Sequence, residues 1–171
     1  MTAQIEDSLR HRGAYYGIAG ILDDDLFCPG YYGLNPVMAS TACYRGYIVQ
    51  FAVSSSQLFL ARLCVQLVKK HEDGYEDEKG PPINGVSPTF NSEGLFNNQY
   101  DEVNLPLSYT GGLLLVKDPL NEFGFQRVWE YSTVLELIFE AGELKEEFDR
   151  SDSVERIRNS IATSFKLDYL L

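Results

Sequence analysis

The chain has 171 residues, of which 44% are hydrophobic and 23% charged, a composition that suits one globular domain and argues against extensive disorder. Fourteen basic against 25 acidic residues give a net charge of −11, the wrong sign for binding nucleic-acid phosphates or an anionic membrane. The charged first residues lack the apolar core of a signal peptide, and no segment approaches the roughly 20 apolar residues of a membrane helix. We therefore expect neither secretion nor membrane insertion.

The first β-rich half is predicted over residues 14–68, after polar residues that allow at most a helical turn over 5–9. Its clearest part is an apolar run over 46–53, three serines, and a second apolar run over 57–68. Two such runs separated by a short polar break favour an antiparallel hairpin. The leucine spacing leaves a helix over 57–70 as the alternative.

The second β-rich half is predicted over residues 105–149. Its final strands form a hairpin that turns at Ala141-Gly142. Charged residues dominate the segment between the halves, 69–82, which we interpret as a solvated acidic loop. A duplicated β unit, with one copy in each half, remains an alternative.

The last segment has a different periodicity. Val154, Ile157, Ile161 and Phe165 follow one another at spacings of three and four, which predicts an amphipathic helix over 152–165 that Ser151 or Asp152 caps. The apolar tail that follows is expected to dock. The chain as a whole is predicted to be mainly β, with antiparallel sheets arranged as a sandwich or barrel and one C-terminal α-helix packed against them.

Three cysteines, Cys28, Cys43 and Cys64, are an odd number in a chain without a secretory signal. This count predicts reduced thiols and a cytoplasmic location. The chain has only two histidines and no C-x-x-C or H-x-x-x-H pair, so we expect no metal site. Neither dinucleotide-binding nor P-loop glycine patterns occur, so no cofactor is predicted.

The most unusual cluster is T-A-C-Y-R-G-Y over residues 41–47. On a strand, Cys43 and Arg45 would share a face, and the guanidinium would stabilise a nucleophilic thiolate. Two structural alternatives stand beside this interpretation. In the first, Cys43 simply packs in the core. In the second, Arg45 stacks on Tyr44 or Tyr47 or pairs with an acid from the second half.

Aromatic residues supply the remaining functional signal, with 11 tyrosines, 10 phenylalanines and one tryptophan. Tyrosine is enriched at interfaces but also packs in cores and sheets. The candidate pocket or interface residues are Cys43, Tyr44, Arg45, Tyr47, Tyr109 and Trp129.

The leading hypothesis for function is a non-enzymatic module that binds a basic protein partner, with an inhibitor or immunity-like role as one version. The alternative is a small-molecule binder or enzyme with a pocket around Cys43, Arg45 and Tyr109. A homo-oligomer formed through an exposed sheet edge is a third hypothesis.

Two segments resemble a family of small uncharacterised bacterial proteins. Residues 41–47 are similar to its motif T-A-C-W-R-G-Y, and residues 105–113 to its segment A-x-W-[YF]-S-G-x-L. This chain has Tyr44 and Tyr109 where tryptophan is usual, and Gly112 is an additional residue. Because that family has no assigned activity, the resemblance implies a bacterial, cytoplasmic, β-rich protein and transfers no catalytic residue.

Overall fold

The computed structural model describes residues 3–23, 25–121 and 126–168, except for the side chains of 164–168. The strands of the first part are β1 (Ser8–His11), β2 (Ala14–Ile21), β3 (Tyr47–Ser54), β4 (Gln57–Val65), β5 (Val68–His71) and β6 (Gly74–Asp77). The later strands are β7 (Thr89–Phe90), β8 (Asn98–Tyr100), β9 (Leu105–Pro106), β10 (Gly111–Pro119), β11 (Tyr131–Glu140) and β12 (Glu143–Asp149). The helix α1 spans Ser151–Asp168, so the fold is mainly β with one C-terminal helix, as predicted.

Seven strands form a ring. Their order is β12-β11-β10-β2-β1-β3-β4, and β12 pairs again with β4 where Glu143 faces Gln57. The amide of Leu144 donates to the carbonyl of Ser56 at 2.7 Å, and the amide of Leu58 donates to that of Gly142 at 2.9 Å. These bonds make the sheet closed, which is the second of the two arrangements that the sequence left open. All ring pairs are antiparallel except β1–β3, which is parallel.

Two-residue turns join β3 to β4 and β11 to β12. Ser55 and Ser56 have φ of 48° and 63°, and Ala141 and Gly142 have φ of 49° and 83°. Positive φ at both central positions is the type I′ geometry, whose twist matches that of the flanking strands. The predicted hairpins at these two places are confirmed, and the helix alternative over 57–70 is wrong.

The core lies inside the ring. Leu9, Phe51, Leu113 and Leu137 come from four different strands and are at most 1% exposed. Burying one such side chain stabilises the fold by about 1.5–3 kcal/mol. Because both predicted β-rich halves contribute to this cluster, the strands that face it share one hydrophobic interior.

The helix α1 packs on the outside of the ring. Val154 contacts Val116 and Val134 there, but Ile157 is 50% exposed, so only part of the predicted apolar stripe is covered. The helix begins one residue earlier than predicted and ends three residues later. The amide of Ser151, the first residue of the helix, donates to the carboxylate of Asp149. The acceptor at this end of the helix is therefore Asp149, and not Ser151 or Asp152 as predicted. The side chain of Phe165 and the apolar tail 169–171 lie outside the described residues.

The acidic segment 69–82 is not simply a solvated loop, because β5 and β6 form a second, two-stranded sheet within it. Buried amides hold the base of this hairpin. The side chain of Asn97 pairs with both backbone groups of Leu67, and that of Asn98 donates to the carbonyl of Glu78. The sequence pattern missed the hairpin because it projects from the body, so neither face needs apolar residues.

The prediction of a helical turn over residues 5–9 is wrong. The segment predicted as a helical turn over 5–9 instead enters the strand β1 at Ser8, and β1 pairs with β2 and β3. Within the described part of the chain, no helix is both long and apolar enough to span a membrane.

Candidate functional site

The T-A-C-Y-R-G-Y segment is a tight turn and not the strand on which the nucleophile hypothesis depended. The amide of Cys43 donates to the carbonyl of Ser40 at 3.0 Å, and that of Gly46 donates to the carbonyl of Cys43 at 3.3 Å. β3 begins only at Tyr47. Gly46 has φ of +74°, and a Cβ there would overlap the carbonyl of Val37, so the turn requires glycine.

Arg45 fastens this turn to the N-terminal segment. Its two terminal nitrogens donate to the two carboxylate oxygens of Asp7 at 2.8 and 2.5 Å, and its Nε donates to the carbonyl of Tyr47 at 2.8 Å. The guanidinium also lies 4.7 Å from the centroid of the Tyr47 ring, so of the two stacking partners that the sequence left open it contacts Tyr47. The acid that pairs with Arg45 is Asp7, which precedes the first β-rich half and does not come from the second half as predicted.

The pair of Arg45 and Asp7 is partly removed from water, and both carboxylate oxygens of Asp7 accept hydrogen bonds. Asp7 also accepts the amide of Val49 at 2.6 Å and is only 10% exposed. Burial by itself would lower the pKa of Arg45, but the hydrogen bond and the charge of Asp7 raise it. Burial is also the main reason that the pKa of Tyr47 is raised. The guanidinium of Arg45 and the carboxylate of Asp7 are therefore committed to each other and to the backbone of β3.

Cys43 is a packed residue. It is 1% exposed, and its thiol donates to the carbonyl of Tyr47 at 3.4 Å. Both histidines pair elsewhere, His11 with Glu147 and His71 with Glu76. A buried thiol that donates to a backbone carbonyl is shielded from substrates, which agrees with the structural alternative for this residue.

Thiol labelling tests this description of Cys43. In a variant carrying Cys28→Ser and Cys64→Ser, the one remaining thiol is expected to react at least ~100-fold more slowly in native protein than in denaturant, since labelling requires local opening. The measurement is the rate of reaction with an aromatic disulfide near neutral pH. The wild-type chain is the control, because Cys28 and Cys64 are partly exposed and should react first. Rapid native labelling of Cys43 would contradict the assignment.

Tyr109 and Trp129 lie away from the turn. The Tyr109 hydroxyl is within hydrogen-bond distance of the carbonyls of Leu22 (2.5 Å) and Gly112 (3.0 Å). Tyr109 lines a depression with Cys28, and the turn that carries Arg45 lines a different one. Trp129 lies beside α1, where its backbone carbonyl accepts a hydrogen bond from Nε of Arg158. The structure therefore does not bring Cys43, Arg45 and Tyr109 into one pocket.

An apolar depression of about 470 Å³, which we call the N-terminal depression, opens beside the turn. Its apolar lining consists of Ile5, Ile18, Ile21 and Tyr44. The N-terminal segment runs along the turn, because the amide of Ile5 donates to the carbonyl of Ala42 at 2.8 Å. Cys43, Tyr44 and Arg45 of the turn all line this depression and were candidates from sequence, whereas the three isoleucines were not. No local pattern could reveal the others, since residues 5 and 44 are distant in the chain.

The charges at the N-terminal depression are unequal. Arg45 is neutralised by Asp7. Glu6 also lines the depression, and it makes no hydrogen bond or ion pair with any residue that the structure describes. Burial raises the pKa of Glu6, because part of its hydration is lost and no cation replaces it. Glu6 thus brings one uncompensated carboxylate to the border of the depression, where its Oε2 lies 3.1 Å from the position that a Cβ at Gly17 would take.

No cluster of three or more histidine, cysteine, aspartate or glutamate side chains suited to a metal ion occurs in the ranges 3–23, 25–121 and 126–168. Comparison with known proteins gives no match to a family model, to a curated protein or to a solved structure. Inference about function therefore rests on the chain's own chemistry.

Proposed function

We propose that this chain is a non-enzymatic protein-binding module, cytoplasmic and of bacterial type, whose partner is a basic or mixed-charge protein. An inhibitor or immunity-like role is the concrete version that we favour. The observation that carries the proposal is the exposure of large aromatic side chains on a strongly acidic protein. Tyr15, Tyr31, Tyr44 and Tyr75 are 56–87% exposed, and the net charge is −11.

Two physical arguments support this proposal. Exposed tyrosines offer a large contact area at little cost in side-chain entropy, which is why they are enriched in interfaces. A net charge of this size attracts a basic partner and accelerates its association. By contrast, the residues best suited to chemistry, Cys43 and Arg45, are occupied by internal hydrogen bonds. That occupation is the reason for preferring binding to catalysis.

The proposal is tested by capture of a partner from the native lysate, followed by identification of that partner and measurement of its affinity. We expect a stoichiometric complex whose Kd rises about tenfold or more between roughly 50 and 300 mM salt, because salt screens the attraction between the exposed charges. An unrelated protein of similar size and net charge, immobilised in the same way, is the control for non-specific capture. An affinity that does not change with salt would reject the acidic surface as the basis of binding.

A further inference from the structure

We propose that the N-terminal depression receives an apolar side chain of a basic partner protein, and that Glu6 pairs with a lysine or arginine next to it. This inference rests on the proposed function and specifies where the partner docks and what chemistry it presents. The occupant is thus a short partner segment in which an aliphatic residue stands beside a cation.

The apolar component of the depression is accessible. Ile5, Ile21 and Tyr44 are 38%, 45% and 59% exposed and lie around one concavity. Exposed aliphatic and aromatic side chains that converge in this way mark an interaction site more often than singly scattered ones do. The volume of about 470 Å³ exceeds that of any single aliphatic side chain, so size does not prevent a leucine from entering.

Charge complementarity identifies the partner's second group. Glu6 has lost hydration without gaining a cation, whereas the neighbouring Asp7 has gained both a guanidinium and a backbone amide. A lysine or arginine from outside would supply to Glu6 what Arg45 supplies to Asp7.

The scaffold is rigid enough to hold such a site. Tyr44 is fixed by the bond from its amide to the Gln4 side chain at 2.9 Å, and Ile21 belongs to β2 and pairs with Leu113 of β10. The salt bridge between Asp7 and Arg45 locks the two walls together. A partner would therefore meet a surface that is already formed, which lowers the ordering cost of association.

The test uses methyl NMR with three acetylated pentapeptides as probes: a leucine flanked by lysines, a leucine flanked by glutamates, and a serine flanked by lysines. We expect the lysine–leucine peptide to bind at least about fivefold more tightly than either control peptide. Its binding should shift the methyl resonances of Ile5, Ile18 and Ile21.

Variants separate the apolar and the electrostatic contributions. Ile21→Ser is expected to weaken binding of the lysine–leucine peptide about tenfold, and Glu6→Gln about threefold with a smaller salt dependence. Ile157→Ser is the matched control, because Ile157 on α1 has a similar exposure of 50%, and it should leave the affinity unchanged. Circular dichroism confirms that each variant is folded.

Three results would overturn the inference: equal affinity for the glutamate peptide, no effect of Ile21→Ser, or a wild-type dimer in light scattering that Ile21→Ser dissociates. The last result would mean that a second copy of the chain covers the depression. If the peptides fail but a lysate partner still binds with strong salt dependence, the binding function stands and only its location is wrong. If that partner binds without salt dependence, the acidic surface is rejected as the basis of binding; if no partner is captured, the proposed function itself fails.

Discussion

Replacing Gly46 with alanine is expected to lower the free energy of unfolding by about 4 kcal/mol. About 1–2 kcal/mol comes from the left-handed backbone at φ of +74°, which an L side chain disfavours. The remainder comes from overlap between the new methyl group and the carbonyl of Val37, which backbone movement must relieve. Urea unfolding followed by circular dichroism measures the change.

Gly85→Ala is the matched control for this experiment. Its φ of +77° is nearly the same, but no heavy atom lies within 4 Å of the position that a Cβ would take. We expect a loss of only about 1–2 kcal/mol, because the backbone strain is present without the overlap. Equal losses in the two variants would show that close packing of the turn against Val37 contributes nothing.

Removing the carboxylate of Asp7 is the second large perturbation. Asp7→Ala is expected to reduce the free energy of unfolding by about 3 kcal/mol, because it leaves both terminal nitrogens of the partly exposed Arg45 guanidinium and the buried amide of Val49 without their acceptor. The loss should be visible as a lower urea midpoint at an unchanged denaturant slope.

Asp101→Ala provides the comparison. The pair that Asp101 forms with Arg62 has a similar length, 2.8 Å, but its two side chains are 50% and 45% exposed. We expect a loss below about 1 kcal/mol there, since water and salt screen an exposed pair. A double-mutant cycle with Asp7→Ala and Arg45→Ala should give a coupling of about 2 kcal/mol. Additive losses would mean that Asp7 and Arg45 act independently.

These variants address the meaning of the T-A-C-Y-R-G-Y segment. Three of its residues serve the structure itself, because Cys43 packs, Arg45 binds Asp7 and Gly46 permits the turn. A motif can therefore be distinctive in sequence because it builds a turn, without performing chemistry. The segment also places Tyr44 at the edge of the N-terminal depression, where we propose that the partner docks.

The local features of this protein could be predicted from sequence. Alternating apolar residues and short polar breaks identified the hairpin of β3 and β4 and that of β11 and β12, because strand pairing across a two-residue turn depends on neighbouring residues. Helical spacing identified α1 for the same reason. Among the site residues, the stacking of Arg45 on Tyr47 was predictable, since the two are separated by one residue.

The sequence by itself determined the β class, the main hairpins, the terminal helix and the acidic charge, since each depends on composition or on short-range periodicity. The tertiary structure alone decided that β12 closes the ring on β4, that Asp7 meets Arg45 across 38 residues, and that Ile5, Ile21 and Tyr44 surround one depression. Those contacts join residues that are far apart in the chain. Their formation depends on how the whole apolar interior packs, and no local pattern encodes that packing.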